Sequence, residues 1–129
     1  VDITYHLVNV GDEMSENIPV ISAYKGFDLN MQCRSYQFKV GESYTHGNQV
    51  AICESGFHSC ENPLDVFEYY PPGTSVYASV EASGSIAKHT ADSKIASGHL
   101  KVAAVISLPD YISKAFEWVK DHCTSEGSN

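Results

Sequence analysis

An α+β domain built on a mainly antiparallel, twisted sheet is what this sequence predicts, and three observations carry the prediction. Short β-rich stretches closed by glycine or by Asn and Asp recur from Ile3 to Phe38 and again from Ser75 to Ile106. Only two stretches carry helical signals, one opening at Asn62-Pro63 and one near the C-terminus. With 129 residues, 43% of them hydrophobic and 19% charged, the chain has the size of one domain and the composition of a globular protein rather than a disordered one. The expectation is a single domain over residues 1–123 with about six to eight strands, a short helix near 62–70, a longer helix near 109–122, and a linker-like tail over 124–129.

Ile3 to Val10 alternates apolar and mixed residues and stops at Gly11-Asp12, as a strand does. Asp12 to Asn17 reads as an acidic loop, and Val20 to Phe27 as the second strand, followed by a turn at Asp28-Leu29-Asn30. Gln32 to Phe38 reads as a third strand. The Thr45-His46-Gly47-Asn48 turn then leads to a returning strand, Val50 to Cys53.

Asn62-Pro63 is a helix start, because the Asn side chain accepts orphan N–H groups while Pro pre-sets the first helical φ. That helix carries Leu64, Phe67 and Tyr70 and is stopped by Pro71-Pro72-Gly73. Ser75 to Ala82 reads as a strand with Gly84 to Ala87 as a short companion, and Lys94 to Ile106 as the longest β-compatible stretch. From about Pro109 to His122, Ile112, Ala115, Phe116 and Val119 recur at i, i+3, i+4 and i+7, which predicts that this face is buried, with Trp118 off the stripe.

The charge excludes some functions. A net charge of −8 with Arg34 as the only arginine argues against nucleic acid and against anionic membrane surfaces, and it suits a basic protein partner. No run approaches the roughly 18 apolar residues of a membrane span. Val1-Asp2-Ile3-Thr4 lacks the basic and apolar regions of a signal peptide, so a non-secreted chain is expected, cytoplasmic in a host cell or associated with a virion. Val rather than Met at the first position reads as the mark of a removed segment.

The densest chemistry-bearing run is Cys53 to Cys60, which with Cys33 supplies three thiols and the His58 imidazole, the donor types zinc prefers. Cys53 and Cys60 are too far apart for a zinc knuckle, so buried apolar thiols are expected and no metal is assigned. A Cys–His nucleophilic pair drawn from the same residues lacks cations nearby in sequence. The glycines match neither nucleotide-binding fingerprint, which leaves them as turn residues.

Ala23-Tyr24-Lys25-Gly26-Phe27-Asp28, Cys33-Arg34, Tyr36-Gln37-Phe38, Val40-Gly41, Tyr44, the run Cys53 to Val66, and Tyr69-Tyr70 occur in that order, and in this pattern the chain resembles an uncharacterised domain family of bacteriophage and prophage proteins. Ser35 stands where that family is expected to carry glycine, and residues 1–20 lie outside the shared region. The resemblance implies a viral origin and brings no activity with it.

Gly56-Phe57-His58-Ser59-Cys60 leading into a helix that ends in Tyr69-Tyr70, followed by the strand Val76 to Glu81, is more loosely similar in pattern to the strand and helix that cradle nicotinamide in ADP-ribosyltransferases. The likeness casts Arg34 or Lys25 in the ribose-binding role and Tyr69 or Tyr70 in the nicotinamide-stacking role, with Glu81 as an unusual substitute for the late-strand glutamate. The expected function is therefore a non-catalytic phage accessory domain that binds a host or phage protein, without a cofactor. The alternative is a small ADP-ribosyltransferase-like enzyme, or a degenerate relative, using NAD. The candidate cleft is Arg34, His58, Tyr69, Tyr70 and Glu81, and the candidate thiol cluster is Cys33, Cys53, His58 and Cys60.

Overall fold

The computed structural model describes residues 3–10, 13–33, 36–46 and 56–127, with the backbone alone for 3–10, 13–19 and 124–127. Its architecture is α+β and mainly antiparallel. Strand β1 (Ile3–Val10) pairs with the first part of β2 (Glu13–Phe27), so residues 13–17, expected in a loop, are strand. The second half of β2 pairs with β7 (Val76–Lys88), from Ile21↔Ala82 to Phe27↔Val76.

Strand β7 returns as β8 (Lys94–Ile106) in a long hairpin, and β8 pairs on its other side with β5 (Ser43–Thr45) and β6 (Phe57–Cys60). The last junction is β6 back to β2 at Tyr24↔Cys60, so the ladder β2–β7–β8–β6 returns to its starting strand. Gly84 to Ala87 is therefore part of β7 rather than a separate strand. The register slips between Ser83 and Ile86, where Gly84 adopts a φ of +79° that only glycine takes readily.

The third expected strand divides. Gln32–Cys33 (β3) and Tyr36–Gln37 (β4) pair antiparallel as a two-stranded sheet of their own. Asp28 Oδ1 accepts from Asn30 N at 2.8 Å and Gln32 N at 2.9 Å, closing a tight loop that sends Cys33 back toward β2. The expected strand Val50 to Cys53 and the Gly47-Asn48 part of its turn lie outside the described residues.

Helix α1 (Pro63–Val66) starts as the sequence dictates, with Asn62 Oδ1 accepting from Leu64 N at 2.9 Å. Only 63–66 is helical; the rest of the expected helix, through Tyr70, is turns anchored on Val66, whose carbonyl accepts from Tyr69 N at 3.0 Å and Tyr70 N at 2.8 Å. Helix α2 (Leu108–Gly127) is longer than expected and takes in residues 124–127, whose composition reads as tail.

Two cores divide the sheet by strand alternation. Ile21, Ala23, Phe27, Ala78, Val80, Ala82, Ile95, Leu100 and Val102 share one core with Phe38 and Phe57. Cys60, Tyr77, Val66 and Tyr111 form the second, with Tyr24, Phe67, Tyr70, Ile106 and Leu108 against it, so both helices dock there.

The docking face of α2 is a correction to the expected stripe. Ala115 is buried, but Ile112 is 41%, Phe116 72% and Val119 37% exposed. Leu108, Tyr111 and Ala115, at i, i+3 and i+7, form a neighbouring row; Leu108 and Tyr111 pack into the second core and Ala115 is buried one turn on, while Trp118 on the same side is half-buried. Tyr111 decides between them. Its ring stacks on Tyr77 with centroids 4.5 Å apart and meets Tyr24 edge-on at 5.6 Å, while its hydroxyl donates to Pro63 O at 2.6 Å.

Candidate functional site

A cavity of about 450 Å³ opens where β2, β6 and the turns after α1 converge. Its position follows from the closure of the ladder: beyond Tyr24↔Cys60 the strands part, and the side chains at the gap form the walls. Tyr24, Lys25 and Gly26 come from β2, Cys33 from β3, His58, Ser59 and Cys60 from β6, and Glu68, Tyr69 and Tyr70 from the segment after α1; Lys94 opens β8 at the rim.

Tyr70 is held by contacts on both sides. A Cβ on Gly26 would lie 2.6 Å from Tyr70 Cβ, so the absence of a side chain at position 26 is what lets the tyrosine lie against the strand. Its backbone carbonyl accepts from Tyr77 Oη at 2.8 Å, and its own hydroxyl donates to Cys33 Sγ at 2.8 Å. Lys25, 4% exposed, donates from Nζ to His58 O at 2.6 Å and approaches Cys33 Sγ at 3.7 Å. Its ammonium also lies 5.4 Å from the Phe38 ring centroid, an arrangement favoured by the ring quadrupole.

At the rim, Tyr69 Oη donates to Asp92 Oδ2 at 2.7 Å, and Lys94 Nζ lies 4.5 Å from the centre of the Tyr69 ring. Desolvation works against ionisation of Asp92. Hydrogen bonds from Tyr69, the Lys94 N–H and His89 outweigh it and hold the carboxyl below the usual carboxylate range. Burial, reinforced by Asp65 and Asp92 and opposed by Lys94 and Lys25, pushes the Cys60 thiol up to about 12, so Cys60 stays protonated at neutral pH.

The structure brings together six of the residues singled out from sequence: Lys25, Cys33, His58, Cys60, Tyr69 and Tyr70 all line this cavity. Glu81 does not join them; it lies on β7 opposite Ser22 and Lys101. Arg34 and Cys53 lie outside the described residues. Among the described residues, no three His, Cys, Asp or Glu side chains gather as a metal site requires, and Cys33, Cys60 and Cys123 are free thiols.

Sequence reasoning missed Ser59, Glu68 and Lys94 as wall residues, and it missed Lys25 as the cation beside a thiol. Strand alternation places Lys25 on the same face as Ala23 and Phe27, which was the available signal. The neighbour it reaches depends on the loop that folds Cys33 back, and sequence distance does not show that.

Residues 21–114 match a family described as a domain of unknown function (DUF7666). The chain belongs to that family. The family region begins within β2 and ends within α2, so it takes in every described wall of the cavity and leaves β1 outside. No curated protein and no solved structure matches the chain. Among the described residues, no helix is long and apolar enough to cross a membrane.

Proposed function

We propose that this domain is a non-catalytic protein-interaction module whose partner packs an amphipathic, basic helix along the outward face of α2. The observation that carries the reading is the row Ile112, Phe116 and Val119, exposed on adjacent turns of a helix whose other face is already docked. A contiguous apolar row on a water-facing helix marks an interaction surface, and its i, i+4, i+7 spacing is the spacing by which helices pack together. The net charge of −8 selects for a basic partner and against nucleic acid. A phage or prophage setting, with a host or viral partner in the cytoplasm or on the virion, rests on the sequence resemblance.

Phe116→Asp tests the reading. The wild-type domain should retain a basic protein from host extract, and that protein, once purified, should bind wild type at least about 30-fold more tightly than the variant, the loss expected for an interface anchor. Equal affinity for both proteins, or a wild-type homodimer in sedimentation that the substitution dissolves, overturns the proposal.

The ADP-ribosyltransferase-like reading stands second. It draws support from His58, Tyr69 and Tyr70 lining one cavity together with Glu68. Absence of label transfer or hydrolysis on incubation with labelled NAD and host extract ends it.

A further inference from the structure

We propose that the cavity is a thiol-modification site in which Cys33 is the nucleophile and the incoming group is a small conjugated carbonyl compound. The inference is independent of the partner assigned to α2. Of the three thiols described, Cys60 is buried and Cys123 lies exposed on α2; only Cys33 is both half-buried on the cavity wall and met by two donors. Tyr70 Oη donates to its sulfur at 2.8 Å, and Lys25 Nζ stands 3.7 Å away, fixed in place by its bond to His58 O. A hydroxyl proton and an ammonium beside a sulfur stabilise the negative charge through which a thiol attacks.

A separate observation points to a bound polar group. Ser59, on the same wall, is 3% exposed, and its Oγ has no hydrogen-bond partner among the described residues. Buried hydroxyls are ordinarily satisfied, so the Ser59 Oγ has hydrogen-bonding capacity left for a polar group that enters the cavity. The volume of about 450 Å³ lies within the range of small-molecule sites.

In the step itself, the Cys33 sulfur adds to the β-carbon of the conjugated carbonyl. A new S–C bond forms while the C=C electron pair moves onto the carbonyl as an enolate, whose oxygen takes the Ser59 hydrogen bond. The proton lost from the thiol ends on the α-carbon by way of solvent. Nothing leaves, and no oxidant is consumed.

Acrylamide is the probe, applied to the folded full chain, with the alkylation rate of each cysteine read by peptide mass spectrometry. Cys33 is expected to react about tenfold faster than the exposed Cys123, with Cys60 last, and the rates should converge in urea. Tyr70→Phe keeps the ring against Gly26 and removes only the hydroxyl; it and Lys25→Met should each slow Cys33 several-fold while circular dichroism shows the fold intact. Ser59→Ala should slow it as well. A folded-state rate at Cys33 no greater than at Cys123 overturns the proposal, and so does a fast Cys33 that neither Tyr70→Phe nor Lys25→Met slows.

Discussion

Tyr111 and Phe116 stand on one helix, five residues apart, and the first is 0% exposed while the second is 72% exposed. Both are aromatic, and each belongs to a row with helical spacing. What separates them is what each row meets. The Tyr111 row finds Tyr77, Tyr24 and a backbone carbonyl awaiting a donor, whereas the Phe116 row stays 37–72% exposed. Hydrophobic burial is non-directional, so it draws some apolar face of α2 inward without choosing which. The choice is made by a hydroxyl that reaches a carbonyl and by rings that stack. The row left outside is then available for a second purpose.

Breaking the inner row should have the largest effect. Tyr111→Ala is expected to cost about 3–5 kcal/mol, since it removes a fully buried ring and orphans the Pro63 carbonyl, and a denaturant titration should show a much lower midpoint. Gly26→Ala acts at the other aromatic contact, where the new methyl group collides with Tyr70. A loss of about 1–3 kcal/mol is expected, with the same titration as the measurement.

Smaller still is the effect at the rim. The folded fold holds the Asp92 carboxyl below its unfolded value, so its contribution is complete above the unfolded carboxylate range and is lost as pH falls through the lowered folded value. Tyr69→Phe removes one of the stabilising hydrogen bonds. It should lower stability near neutral pH by about 1 kcal/mol and flatten the acid limb of the stability profile, as followed by thermal melts between pH 7 and pH 2. The smallest effect belongs to the outer row: Phe116→Ser should change stability by no more than about 0.5 kcal/mol in the isolated domain. A large loss there would show that Phe116 supports the fold rather than a partner.

Local chemistry explains which parts of the molecule the sequence discloses. The Asn62-Pro63 start is legible because a cap is a contact between near neighbours, and Asn62 makes it. The strands of the β7–β8 hairpin are legible through composition and alternation, although the bulge at Gly84 disguises one long strand as two. Residues 32–38 mislead for the opposite reason. Their composition suits one strand, but they fold as two short strands paired with each other, Gln32↔Gln37 and Cys33↔Tyr36, and a pairing of that kind leaves no mark in composition. The cavity is partly legible, since Cys33, His58, Cys60, Tyr69 and Tyr70 stand out as reactive or aromatic residues near turns. Their convergence with Lys25, and the separation of Glu81 from them, depend on strand pairings that no local pattern encodes.

Among the described residues, the β2–β6 junction is a clasp of one pair, Tyr24↔Cys60, while β6 runs along β8 from Phe57↔Ser97 to Cys60↔Lys94. A ribbon fastened so lightly on one border can swing open there while staying zipped on the other, at a free-energy cost well below that of global unfolding. Solvent would then reach the β2-facing backbone of residues 57–60 through breathing of this clasp, and their amide hydrogens on that side would exchange sooner than those of residues 78–82 in the doubly paired middle of the sheet.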